Sequence, residues 1–180
     1  MFLIEKEIGR ILKYVKLLPI TLFLILSYFL YWKINNVENT KELKSVLLNQ
    51  ELPNLNLGHI EGKLLKDVLG KEPFILNFFA SWCAPCRAEH AVLQKYSDDK
   101  IIIGVAYKDN IQDIKKFLTI LGNPYDILLT DEKGRAGIDL GLYGVPETYF
   151  INSEGQIKYR QVGPLTVKKF ENIMNLINTK

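Results

Sequence analysis

The stretch Phe74-Ile75-Leu76-Asn77-Phe78-Phe79-Ala80 is apolar at every position but one. A strand with one wet face alternates apolar and polar residues, so a run of this kind has both faces covered and belongs inside a sheet flanked by helices. Ile101-Ile102-Ile103-Gly104-Val105-Ala106-Tyr107 repeats the pattern. Residues 83–96 between the two runs read as a helix, and a strand–helix–strand unit of parallel strands crosses over right-handed.

The rest of the chain extends this plan. Residues 110–121 form an amphipathic pattern, with Ile111, Ile114, Phe117, Leu118 and Leu121 on one face and Gly122-Asn123-Pro124 as a stop. Residues 125–129 read as a short strand and 136–142 as a weak helix or turn. Residues 148–151 and 157–162 make a hairpin around Asn152-Ser153-Glu154-Gly155, and 166–178 a closing helix. Upstream, residues 52–57 alternate like a short strand, Gly58 and Gly62 mark a turn, His59 falls in a loop, and Leu64, Leu65, Val68 and Leu69 have helical spacing. The expected class is α/β, a mixed central sheet with helices on both faces.

The N-terminal part differs in kind. Leu17 to Trp32 carries no charge and is bracketed by Lys16 and Lys33. At about 1.5 Å per residue it is slightly short of a hydrocarbon core, a gap that snorkelling lysines can close. Tyr28, Tyr31 and Trp32 cluster at one end like an interfacial belt, and Lys6, Arg10, Lys13 and Lys16 precede the run. No A-x-A-like cleavage site is present, so the expectation is an uncleaved anchor. The expected organisation is a cytoplasmic N-terminus (1–16), a transmembrane signal anchor (17–32), a linker (33–50) and one α/β domain (51–180). Residues 1–33 hold five of the 23 Lys/Arg and two of the 20 Asp/Glu, which leaves eighteen of each for the remainder. A neutral domain lacks the basic footprint of nucleic-acid binding.

The chain has two cysteines, Cys83 and Cys86. A C-x-x-C pair alone fits half a zinc site, a structural disulfide or a redox centre. Two cysteines are too few for a four-thiolate metal site, so no metal is expected. A disulfide closing so short a loop constrains the unfolded chain little. The pair also follows a buried strand and opens a helix, whose N-terminus carries roughly half a positive charge. Cysteines so placed can have pKa values of roughly 3.5–7.5, and the thiolate is the attacking species in disulfide exchange. Cys83, at the helix mouth, is then the exposed nucleophile, and Cys86, one turn inward, resolves the mixed disulfide. Trp82 packs beside the pair and shapes access, and Pro85 suits the first helical turn.

The run Asn77-Phe78-Phe79-Ala80-Ser81-Trp82-Cys83-Ala84-Pro85-Cys86-Arg87-Ala88-Glu89-His90 resembles the active-site segment of the thioredoxin-like proteins of cytochrome c maturation, the DsbE/CcmG type. Gly144-Val145-Pro146-Glu147-Thr148, Gly104-Val105-Ala106-Tyr107-Lys108-Asp109 and Lys158-Tyr159-Arg160 are similar to further parts of that family. The resemblance implies a thioredoxin fold with a short N-terminal strand extension and a redox-active Cys83–Cys86 disulfide. It also implies a cis-proline at Pro146 that presents the Val145 backbone to a client peptide, and an acidic Glu147 near the site, the alternative being a solvated strand-start residue. Ordinary thioredoxin carries a buried Asp where this chain has Asn77, which cannot accept a proton. Glu89 and Glu147 are then the candidates for proton handling, with an exposed helix charge the alternative for Glu89.

The activity implied is that of a membrane-anchored thiol–disulfide oxidoreductase, with its domain in the periplasm and its anchor in the inner membrane. It would keep the cysteines of apocytochrome c, or of a thiol-bearing assembly protein, reduced for haem attachment. A membrane electron-donor thiol protein would recharge it, and no cofactor is implied. The alternatives are a general extracytoplasmic thiol oxidant or isomerase, and a non-catalytic module that binds clients or haem.

Overall fold

The computed structural model describes residues 18–33, 47–62 and 65–178. The chain divides into two compact units, Met1–Lys44 and Ser45–Lys180. Of the first, residues 18–33 form helix α1, whose large apolar side chains from Leu18 to Trp32 are exposed. Among the described residues no helix is long and apolar enough to cross a membrane. The expected N-terminal segment 1–16, the anchor's first residue Leu17 and residues 34–46 of the expected linker lie outside the described residues.

In the second unit the elements run β1 (Gly58–Gly62), α2 (Leu65–Val68), β2 (Phe74–Phe79), α3 (Ala84–Tyr96), β3 (Ile101–Tyr107), α4 (Ile111–Leu121), β4 (Ile127–Asp131), α5 (Arg135–Asp139), β5 (Glu147–Ile151), β6 (Ile157–Val162) and α6 (Val167–Asn178). One six-stranded sheet has the order β1-β4-β3-β2-β5-β6. The central strands β2, β3 and β4 are parallel, and β1, β5 and β6 join antiparallel. Both crossovers, through α3 and through α4, step the same way along the sheet, so right-handedness puts both helices on one face.

Side-chain parity shows why the central strands are apolar throughout. Ile75, Phe79, Ile102, Ala106, Leu128 and Phe150 face one layer, with Leu93 of α3, Phe117 of α4 and Phe170 of α6. Phe74, Leu76, Phe78, Ile103, Val105, Ile127, Leu129 and Tyr149 face the other, with Ala136 of α5, Val68 of α2, Leu52 and Leu55. Both faces of β2 are therefore covered, and all six of its residues are buried. Asn77 points into the α3 face, and the cross-strand pairing of Phe78 with Glu147 points Glu147 into the α5 face.

The N-terminal strand is displaced from its expected place. Residues 52–57 are irregular: Leu52 and Leu55 are both buried, a spacing of three that no strand produces, and only Glu51 forms an isolated bridge, to Gln156. The strand is instead β1, where a turn was expected, and His59 lies within it with Nε2 3.1 Å from the Gly62 carbonyl oxygen. Gly58 is there for a close approach, since a Cβ would meet Thr130 Cγ2 at 2.8 Å. The fourth strand begins two residues late, because Tyr125 turns its ring onto β3. A Cβ at Gly104 would lie 2.7 Å from that ring, so glycine makes the room.

Candidate active site

Beyond β2 the chain passes through Ala80, Ser81 and Trp82 into Cys83, whose N–H donates to the Ala80 carbonyl at 3.2 Å. Cys83 is the N-cap of α3. Its Sγ accepts the Cys86 N–H at 3.1 Å, and Pro85 sits in the first turn, where no N–H is needed. A thiolate at Cys83 finds the same donor and the positive end of the helix, and no acidic residue in the first turn opposes it. The pair is disulfide-bonded, with Cα atoms 5.3 Å apart.

The expectation of an exposed Cys83 needs correction for this oxidised state. Cys83 is 4% exposed and Cys86 2%. Cys83 Sγ bridges to Cys86 and lies 3.5 Å from the Val145 carbonyl oxygen. The Val145-Pro146 bond is cis, as expected, and Pro146 is buried while Val145 is half-buried. Trp82 stands beside the pair, 62% exposed, its Nε1 donating to the Lys108 carbonyl at 3.3 Å.

Beneath the pair runs a buried polar chain. Asn77 Nδ2 donates to Glu89 Oε1 at 2.8 Å and to Thr148 Oγ1 at 3.0 Å, and Asn77 Oδ1 accepts the Tyr125 hydroxyl at 3.0 Å. Glu89 Oε2 accepts the Leu165 N–H at 2.9 Å. Glu89 is 1% exposed, so the reading of it as an exposed helix charge is overturned. Burial raises its pKa from the ordinary 4.5 to about 7, against the opposing pull of the Leu165 and Asn77 hydrogen bonds. Burial and the neighbouring Glu89 carboxylate push the Tyr125 hydroxyl well up. A carboxyl that titrates near neutrality, one helical turn from Cys86, is suited to take and return a thiol proton. His90 next to it is also buried; its Nε2 lies 2.9 Å from the Gly122 carbonyl oxygen, and burial lowers its pKa.

Glu147 is not part of this chain. It is wholly buried on the opposite face of the sheet, neither solvated nor beside the thiols. It forms an ion pair with Arg160 through Nε, accepts the Tyr149 hydroxyl at 2.7 Å and accepts the Tyr143 N–H at 3.2 Å. Proton handling by Glu147 is therefore corrected: its carboxylate is paired with Arg160 and faces the layer opposite the one that holds the cysteines. Burial and the Glu147 carboxylate push the Tyr149 hydroxyl upward.

Other residues brace the site without having been singled out. Asp109 accepts the Ser81 N–H at 2.6 Å and its hydroxyl at 3.1 Å, and Arg87 Nη2 donates to the Ser81 carbonyl at 2.9 Å while lying 5.0 Å from the Phe117 ring centroid. The approach to Cys83 is thus fixed from both sides. Tyr125, Thr148 and Leu165 complete the Glu89 network. Among the described residues no group of His, Cys, Asp or Glu could hold a metal ion.

A parallel core extended by an antiparallel hairpin, with a cystine at the mouth of the first crossover helix, is the architecture of the thioredoxin-like thiol–disulfide oxidoreductases. The Redoxin family matches residues 48–177. The thiol:disulfide interchange protein DsbE of Haemophilus influenzae is 39% identical over 171 residues, covering 91% of this chain and 94% of its own. DsbE of Escherichia coli is 38% identical over 165 residues, covering 87% and 89%. A Chlorobium tepidum crystal structure described as a thiol:disulfide interchange protein DsbE superposes with a TM-score of 0.60 at 25% identity, covering 72% of this chain and 96% of that one. The chain belongs to this family of thiol:disulfide interchange proteins, and it is a thiol–disulfide oxidoreductase.

Proposed function

We propose that this oxidoreductase is a reductant held at the inner membrane by residues 17–32, with its catalytic domain in the periplasm. It keeps the cysteines of apocytochrome c, or of a thiol-bearing assembly protein, reduced for haem attachment. The sequence resemblance to the cytochrome c maturation type supports the client. The uncharged run 17–32 with its flanking lysines supports the anchor, and the bias of Lys6, Arg10, Lys13 and Lys16 supports a cytoplasmic N-terminus. The observation that carries the chemistry is Cys83 at the cap of α3, its sulfur 3.5 Å from the Val145 carbonyl.

In the reduced enzyme the Cys83 thiolate attacks a client disulfide whose backbone pairs with Val145, forming a mixed disulfide and releasing one client thiolate. Cys86 then loses its proton to Glu89 and attacks Cys83 Sγ. The second client thiol leaves, and two electrons have passed from the cysteine pair to the client. A membrane dithiol donor reverses these steps on the enzyme and restores both thiols.

Cys86→Ser leaves Cys83 unable to release its client. Captured in the periplasm, this variant is expected to hold an apocytochrome c or a cysteine-bearing assembly protein in a mixed disulfide. Capture of a broad range of exported proteins instead would contradict the proposed client.

A further inference from the structure

The residues that carry Val145 to Cys83 have no regular structure between the end of α5 and the start of β5. They are tied down from the far face of the sheet. Glu147 Oε2 accepts the Tyr143 N–H at 3.2 Å, and Arg160 Nη2 donates to the Gly141 carbonyl at 2.6 Å. The two side chains are paired with each other, and Tyr149 donates its hydroxyl to Glu147 Oε1 at 2.7 Å. The Tyr143 ring centroid lies 5.0 Å from the Arg160 guanidinium carbon. One buried ion pair therefore holds two backbone groups of the loop, and Val145 follows Tyr143 by two residues.

We propose that Glu147 and Arg160 are positioning residues for client binding: a latch that fixes residues 141–145 so that the Val145 carbonyl stands ready beside Cys83 for an incoming client backbone. The arginine is suited to this because its planar fork serves Glu147 through Nε and Gly141 through Nη2 together, which a point-charge ammonium cannot do. The pair lies across the sheet from the cysteines, so its effect falls on docking and leaves thiol reactivity alone. This inference rests on the proposal that clients dock against Val145.

The test is the single-turnover reaction of the reduced full-length protein with a disulfide-bridged C-x-x-C peptide, reading the half-saturating concentration and the limiting rate separately. Reduction of the Cys83–Cys86 disulfide by dithiothreitol, which needs no docking wall, serves as control. Two variants are compared with wild type: Arg160→Lys, which keeps a charge opposite Glu147 and so keeps the fold, and the neutral double variant Glu147→Gln with Arg160→Gln. The half-saturating concentration is expected to rise about tenfold in the double variant and about threefold in Arg160→Lys, with limiting and dithiothreitol rates within about twofold of wild type. If the double variant does not fold, Arg160→Lys decides alone. An unchanged half-saturating concentration, or an equal fall in the dithiothreitol rate, overturns the latch. A wild-type protein that fails to reduce the peptide at all overturns the reductant reading instead.

Discussion

Two glutamates lie under the sheet's catalytic end, one on each face, and both are out of water. Glu147 is neutralised by Arg160 and held by Tyr149 and the Tyr143 amide. Among the described residues the hydrogen-bond partners of Glu89, Asn77 and the Leu165 amide, are neutral, and its pKa rises to about 7. Equal burial thus produces opposite chemistry. The paired carboxylate is held against the loop backbone, whereas the unpaired one sits near its titration point and is suited to proton transfer.

The comparison breaks most visibly through the ion pair. Arg160→Met leaves Glu147 buried and unmatched, and urea unfolding is expected to show a loss of roughly 3–5 kcal/mol. A variant within about 1 kcal/mol of wild type would show that Glu147 is not held by charge.

Glu89 makes the stability depend on pH. Its folded pKa of about 7 lies above the ordinary 4.5, so the folded state binds the proton more tightly. The stability that Glu89 contributes is fully present below pH 4.5 and is lost as pH rises through 7. The loss is roughly 3 kcal/mol for a shift of this size. Glu89→Gln carries no such proton, so the difference in unfolding free energy between wild type and variant should move by that amount between pH 4 and pH 8. A flat difference would mean that Glu89 has the same pKa folded as unfolded. The same variant is expected to slow release of the mixed disulfide about tenfold or more, because Cys86 loses its proton acceptor.

A smaller effect sharpens the Glu89 side. Tyr125→Phe strands the buried Asn77 Oδ1 without its donor. The cost expected from denaturation is about 1–3 kcal/mol, and an effect near zero would mean that Asn77 finds another partner.

Much of this was legible in the sequence because burial on both sides leaves an unmistakable apolar run, as in Phe74–Phe79, and because a helix-opening C-x-x-C has few uses. The pattern that decides between a buried Glu89 and an exposed helix charge was also written there. The buried positions of α3 are Cys86, Glu89, His90 and Leu93, one stripe at helical spacing. A charged residue inside such a stripe signals a buried carboxyl. The partner of Glu147 was not legible, since it depends on the β5–β6 register, which shifts between Phe150 and Ile151. Nor was β1: the alternation of residues 52–57 imitates a strand, while the real strand holds glycines demanded by a neighbour distant in sequence.

The most direct test of the account is the reduction potential of Cys83–Cys86 in the full-length protein at pH 7. A carboxylate near Cys86 disfavours its thiolate and so favours the disulfide, and a reductant is expected to lie nearer to about −270 mV, as in thioredoxin, than to about −120 mV, as in a strong periplasmic oxidant. A value at the oxidising end would contradict the assignment of this pair as a reductant.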